Sequence, residues 1–292
     1  MKILFVGASG FGNLGDDAYK EIFSEHLKDH ELMFDSPYPD LRCVDWCDIL
    51  IVGGGGLIYC NATDHFKYMK MYMDRAMNQK KTILLISVGV QFVSKLKDRI
   101  KEVLTPWKPY LDYAKAITVR SPSDKEILES ITTTKVNYYP DLCYLIKPVD
   151  YHLTLPNSVV FTMTTLAFNQ GDLQQQYEKY KDRNRYFVIM SNDDKNITES
   201  FIRQKVCNYN YELTGHYFNR DNLHPREAAR IFADADIVVS SRYHSMVFSR
   251  AVGCKKIINV DPRYKSQVEP KEYNKEDAIN HISTILKHIE KR

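Results

Sequence analysis

The stretch Ile237-Val238-Val239-Ser240-Ser241-Arg242-Tyr243-His244-Ser245 begins as a short β-branched run, turns polar at two serines and passes directly into sequence with helical spacing. A buried strand that ends in a helix start is the repeating unit of parallel α/β sheets. Here it puts a permanent cation, Arg242, and a titratable imidazole, His244, at a strand's carboxyl end beside the free N–H groups of a helix, where such sheets bind anions and other ligands. Taken alone, an Arg-x-His pair at a tight connection is more safely read as surface. A second half-motif shifts that balance: Ile117-Thr118-Val119-Arg120-Ser121-Pro122-Ser123-Asp124 again reads strand, arginine, then a polar cap with proline near the first helical position. Two arginines at equivalent strand ends suggest two jaws closing on one anion, with Ser245 beside one of them.

On either side of these motifs the chain alternates strand and helix signals. In the first half, strands are expected at 2–7, 31–35, 48–52, 82–88, 116–120 and 135–139. Helices are expected at 16–28, from a glycine turn through Met77, around 96–104 and at 123–131. Lys147 to Pro156 breaks the rhythm with two prolines and is the natural linker. The alternation then restarts, with strands at 159–164, 186–191, 237–241 and 256–260. From Asn274 to Lys291, Ala278, Ile279, Ile282, Ile285, Leu286 and Ile289 recur at helical spacing behind an Asn274 cap. The expectation is an α/β protein of two Rossmann-like domains, residues 1–147 and 157–292, facing a central cleft, an architecture like that of the GT-B glycosyltransferases.

The length of 292 residues suits two domains, and the apolar and charged fractions of 44% and 26% are those of an ordinary globular protein. A net charge of +3 is too small to imply a nucleic-acid or membrane partner, so any cationic function is local to a site. Met1-Lys2-Ile3-Leu4-Phe5-Val6-Gly7 reads as a first strand rather than a secretory leader, and the longest apolar stretch, Thr82 to Val93, falls short of a membrane span. The protein is therefore expected to be soluble and cytoplasmic. Cys43, Cys47, Cys60, Cys143, Cys207 and Cys254 lack paired spacing and read as free thiols. No metal site is expected, because His65, His216 and His224 have no partner spacing and read as loop or cap residues.

Gly10-Phe11-Gly12-Asn13-Leu14-Gly15 is formally a dinucleotide fingerprint, with Asp35 about twenty residues on. However, the glycines come late after the strand, and Asp16-Asp17 place negative charge where a pyrophosphate would need the helix terminus free. Gly53-Gly54-Gly55-Gly56 follows the apolar run Ile49-Leu50-Ile51-Val52. One glycine satisfies a tight turn, so four in a row point to a ligand-facing loop, with Gly54 and Gly55 as its centre. Val88-Gly89-Val90-Gln91 ends the next strand and could bring Gln91 to the same edge. After the last strand, Lys265 is a further cation suited to a phosphate contact.

In order along the chain, Gly12-Asn13-Leu14-Gly15-Asp16-Asp17-Ala18, Val52-Gly53-Gly54-Gly55-Gly56-Leu57-Ile58, Val119-Arg120-Ser121-Pro122-Ser123, Pro140-Asp141-Leu142, Ser240-Ser241-Arg242-Tyr243-His244-Ser245, Ala251-Val252-Gly253 and Lys265 resemble the blocks of the polysaccharide pyruvyl transferases. The resemblance implies a GT-B-like fold and an enzyme that moves the enolpyruvyl group of phosphoenolpyruvate (PEP) to a sugar or glycan and closes it as a cyclic pyruvate ketal. It implies no redox cofactor, and it carries the family's PEP-binding arginines and histidine to Arg120, Arg242 and His244. This chain departs from the family pattern at Ser121, at Tyr243 between Arg242 and His244, and at Ser87, where glycine is usual.

The chemistry of the residues agrees. PEP offers a phosphate and a carboxylate on a small frame, which suits guanidinium forks. Protonation of its methylene carbon needs one acid group near neutral pKa, and His244 fits. Lys265 would support the arginines, while the glycine loop and the Asn13 to Asp17 helix start, including Asn13 and Asp16, would line an opposite wall for the acceptor. A sugar-nucleotide glycosyltransferase of the same fold is the rival enzyme, and a catalytically silent glycan- or anion-binding module is the rival outside enzymes.

Overall fold

The computed structural model describes residues 1–10, 12–35, 40–59, 64–91, 99–164, 167, 171–206, 217–218, 223–261 and 275–290. The chain forms two compact units, each built on one parallel sheet. In the first, β1 (Lys2–Gly7), β2 (Glu31–Phe34), β3 (Ile49–Tyr59), β4 (Thr82–Gln91), β5 (Ala116–Val119) and β6 (Val136–Tyr138) stand in the order β2-β1-β3-β4-β5-β6. In the second, β7 (Ser158–Phe161), β8 (Asn184–Val188), β9 (Tyr217–Phe218), β10 (Ile237–Ser240) and β11 (Ile257–Asn259) stand in the order β11-β10-β7-β8-β9. Strand order reverses between β1 and β3 and between β7 and β10, the switch points at which open α/β sheets leave a ligand crevice. The apolar runs explain the strands: all four residues of β5, β7 and β10 are buried, as sheets covered on both faces require.

Leu4, Leu50, Ile83, Trp107 and Leu111 belong to the core of the first sheet, and Val159, Phe161, Phe187, Phe201 and Val239 to that of the second. Helix starts follow the expected chemistry. Ser121 caps the helix Pro122–Glu129 by accepting from Asp124 N, and His224 caps Pro225–Asp234 in a reciprocal capping box with Glu227. Cys43, Cys47, Cys143 and Cys254 are free thiols, and no helix among the described residues is long and apolar enough to cross a membrane. Cys60, Cys207, His216, Lys265 and Asn274 lie outside the described residues.

The units differ from the expected 1–147 and 157–292 in three places. The first comprises Met1–Phe11, Tyr19–Leu142 and Tyr273–Arg292, and the second Gly12–Ala18 and Cys143–Glu272. The last helix, Lys275–Glu290, thus belongs to the first unit. There His281 is fully buried, its Nε2 lies 2.8 Å from Thr118 Oγ1, and its ring stacks on Tyr139 at 4.6 Å. Helical spacing shows that such a helix has an apolar face but not which sheet covers it. The expected linker is laced to the second unit: Arg226 Nε donates to the Lys147 carbonyl (3.2 Å), Arg230 Nε to the Val149 carbonyl (2.9 Å), and Leu153 N to Asp234 Oδ2 (2.7 Å).

The glycine run forms no loop: β3 continues through Gly53–Gly56 to Tyr59. A Cβ at Gly53 would stand 2.0 Å from the Ile86 carbonyl, and one at Gly56 would stand 2.0 Å from Gln91 Nε2. Gly54 has φ +75° and lies under the rings of Phe5 and Tyr19. These glycines are required by close packing and one left-handed residue.

Candidate active site

The carboxyl end of β10 lies at the switch point of the second sheet. Ser241 N donates to Thr162 Oγ1 at 3.1 Å and Ser241 Oγ to the Thr162 carbonyl at 2.6 Å, tying the ends of β10 and β7 together. Ser245 Oγ lies 2.9 Å from Thr162 Oγ1 and 2.7 Å from Ser240 Oγ, and donates to the Arg242 carbonyl at 2.8 Å. A buried hydroxyl left unpaired costs about 1–3 kcal/mol, so this network holds the helix Tyr243–Ala251 at one position and angle. Ser245, expected to touch substrate, is instead fully buried as a brace for that helix.

Arg242 is the N-cap residue of the helix, with extended backbone (φ −121°, ψ 138°). Its Nε donates to Asp194 Oδ2 at 2.6 Å and its Nη2 to Asp194 Oδ1 at 2.5 Å. Asp194 lies in the first turn of the helix Asn192–Val206 and is 2% exposed. Burial works against the Arg242 charge, but the Asp194 bonds and the charges of Asp194, Asp193 and Asp261 outweigh it, so its pKa rises above the ordinary arginine value. The bonds occupy Nε and Nη2 and leave the Nη1 donors for another acceptor.

His244, in the first turn of the same helix, is 8% exposed. The Tyr243 ring meets it edge-on at 5.2 Å. Gly15 packs against it so closely that a Cβ there would stand 1.8 Å from His244 Nδ1. Gly15 is held by the docking of its own segment on the second unit. Leu14 N donates to the Met190 carbonyl and Asn192 N to the Gly12 carbonyl, both at 2.8 Å, and Asn13 bridges Ser191. Cys143 Sγ donates to the Gly15 carbonyl at 3.4 Å.

This placement corrects the expectation for Asn13 and Asp16, which belong to the same unit as His244 rather than to an opposite wall. Asn13 Oδ1 accepts from Gly15 N at 3.0 Å and so caps the helix, and Asp16 is buried in its first turn. The formal dinucleotide fingerprint therefore ends in a helix start that is already capped and acidic, and its last glycine makes room for an imidazole.

In the first unit, Arg120 stands at the end of β5 as expected, 5% exposed. Its Nη1 donates to Asp141 Oδ2 at 2.9 Å, and Tyr19 Oη donates to Asp141 Oδ1 at 2.8 Å. Gly54, Gly55 and Gln91 lie in this unit too, with Gly55 paired to Val88 in the ladder and Gln91 exposed. The structure thus groups Arg242, His244, Ser245, Asn13 and Asp16 in the second unit and Arg120, Gly54, Gly55 and Gln91 in the first. Sequence reasoning missed Asp194 and gave Asp141 no role. The signal for Asp194 was an acidic pair, Asp193-Asp194, opening the helix after β8.

Comparison with known proteins matches this layout. No curated protein matches the chain in sequence. In structure it is similar to the Methanocaldococcus jannaschii UDP-GlcNAc 2-epimerase (TM-score 0.54, 10% identity, covering 99% of this chain and 100% of that one). It is also similar to a putative UDP-N-acetylglucosamine 2-epimerase from Listeria monocytogenes (TM-score 0.53, 12% identity, 100% and 97% covered). A Burkholderia multivorans α,α-trehalose 6-phosphate synthase is a further likeness (TM-score 0.52, 7% identity, 98% and 94% covered). All three are GT-B fold proteins, and at these identities the likeness shows the fold alone. In sequence, the polysaccharide pyruvyl transferase family model matches residues 13–257, from the Asn13 cap through β10 and the Arg242–His244 turn to the start of β11. The chain belongs to the polysaccharide pyruvyl transferase family.

Proposed function

We propose that this protein is a PEP-dependent pyruvyl transferase that builds a cyclic pyruvate ketal on a sugar or glycan. The observation that carries the reading is the placement of Arg242 at the N-cap and His244 in the first turn of one helix, at the switch point of the second sheet. A fixed guanidinium and an imidazole at one helix start suit a small substrate with two anionic groups that must be protonated on carbon.

In the proposed reaction His244 gives a proton to the PEP methylene carbon, and C2 becomes oxocarbenium-like. A sugar hydroxyl forms the first C2–O bond, the C2–O bond to phosphate breaks, and a second hydroxyl closes the ketal. One hydroxyl proton returns to His244 and the other leaves with phosphate, so one PEP and one diol give one ketal and one phosphate. Arg242 holds an anionic group of PEP and steadies the departing charge. Arg120, as the second strand-end arginine and on the family's pattern, and Lys265, as a further cation after the last strand, are assigned to the substrate, and no redox cofactor is needed.

The test is incubation with PEP and a panel of hexose and N-acetylhexosamine glycosides, following acceptor-dependent phosphate release and product mass. Phosphate release with a pyruvate-ketal mass gain is expected. Silence with PEP and turnover of a nucleotide sugar would move the assignment to glycosyl transfer. His244→Ala is expected to abolish turnover while PEP binding persists; full turnover in that variant would remove His244 from the mechanism.

A further inference from the structure

We propose that Asp194 is a positioning residue for the donor substrate: it fixes the Arg242 guanidinium so that its remaining donors are preset for a phosphoryl or carboxylate group. The inference rests on the reading of Arg242 as a PEP ligand. A free arginine side chain at a strand end samples many rotamers, and an anion that binds it must first order it. Here the ordering is built in. Both Asp194 oxygens are engaged, by Nε and Nη2 of Arg242, through bonds of 2.6 and 2.5 Å.

Asp194 is itself held from both directions of its helix. Its amide donates to the Ser191 carbonyl at 2.9 Å, and its own carbonyl accepts from Thr198 Oγ1 at 2.7 Å, with Thr198 fully buried. The other end of the tether is equally fixed, because the Arg242 carbonyl accepts from Ser245 Oγ and Ser240 Oγ. A side chain pinned at its backbone and along one guanidinium edge has one edge left to offer. The same geometry explains why a carboxylate is tolerated beside an anion site: it lowers the pull of Arg242 on any simple anion and favours a ligand that matches the remaining donors in shape.

The preset edge predicts selectivity more than raw attraction. Asp194→Glu keeps the charge and shifts the carboxylate by one methylene, which moves the guanidinium without leaving it unpaired. By isothermal titration calorimetry on the intact protein, PEP affinity in Asp194→Glu is expected to fall on the order of tenfold, while affinity for inorganic phosphate changes by less than about threefold. Turnover assays should show the loss in KM for PEP with kcat nearly preserved. In Asp194→Asn, phosphate affinity should hold or rise as PEP affinity falls. PEP affinity equal to the parent's in a folded Asp194→Glu protein would overturn the proposal and make the pair a structural ion pair only. If the parent binds phosphate but not PEP, the donor reading of this site fails instead; Asp194 is then judged by whether Asp194→Glu alters phosphate binding, and no change there overturns it too.

Discussion

Replacing Gly15 by alanine sets two effects of opposite sign against each other. Gly15 is the second residue of the helix Leu14–His26, and its φ lies outside the left-handed region. At such a position Gly→Ala ordinarily stabilises a helix by about 0.5–1 kcal/mol. Here the new Cβ would lie 1.8 Å from His244 Nδ1, 2.1 Å from its Cγ and 2.5 Å from its Cβ, where ordinary contact begins at 3.4 Å. The ring must therefore retreat by 3.4 − 1.8 = 1.6 Å. Rotation about the side chain alone does not clear the clash, because the His244 Cβ is itself too near. Overpacking of this kind costs about 1–3 kcal/mol, so the net change is a loss of about 1–2 kcal/mol. Urea unfolding followed by circular dichroism measures the sign, and PEP-dependent turnover should fall with it because His244 is displaced. A Gly15→Ala protein that is more stable than its parent and keeps its kcat would refute the packing of His244 on Gly15.

Three further outcomes follow from buried polar groups. Burial pushes the His281 pKa down from 6.5 to about 4, against the pull of the Pro140 backbone and Asp141. The unfolded chain therefore takes up that proton first: the contribution of His281 to stability is complete above pH 6.5, falls as pH drops toward 4, and totals about 3 kcal/mol. His281→Gln should flatten the pH dependence of urea midpoints across that window, and an unchanged slope would contradict it. Ser87 is fully buried with φ +53° and an unpaired Oγ, so Ser87→Gly should stabilise by about 1 kcal/mol once the entropy of glycine is subtracted. A lower thermal midpoint would count against that account of the strain. Arg242→Ala strands the buried Asp194 carboxylate and should cost about 3–5 kcal/mol, of which a second change, Asp194→Ala, recovers a substantial part; an equal or greater loss in the double variant would show that the two do not act as a pair.

The strand-to-helix junctions were legible because apolar runs that end in a capping residue admit few local structures. Ser121 caps where its spacing predicted, and β10 passes into its helix at Arg242. The glycine run misled because a sequence does not say whether glycine serves a ligand or a neighbouring backbone; at Gly53 the neighbour is the Ile86 carbonyl. The roles of Asp194 and Gly15 were not legible for a related reason. The two residues act on Arg242 and His244 from 48 residues away in one case and from the opposite end of the chain in the other. Local pattern carries no information about such pairs. The departure at Ser87, visible in the sequence as an oddity, became physical only with its φ and with its amide donating to Thr118 Oγ1 at 2.9 Å.

The exchange of segments between the units bears on how the protein is made. Seven early residues, Gly12–Ala18, wait for a unit whose remaining chain begins at Cys143, and the first unit receives its last helix only from Tyr273 onward. As the chain leaves the ribosome, the first sheet stays uncovered along the surface that Ala278, His281, Ile282, Ile285 and Ile289 will bury. The second unit has its whole sequence available earlier than the first. Neither unit can be cut out as one continuous piece, and a truncation before Lys275 would leave an apolar surface and the Thr118 hydroxyl without their cover, a route to aggregation during synthesis rather than to a smaller working enzyme.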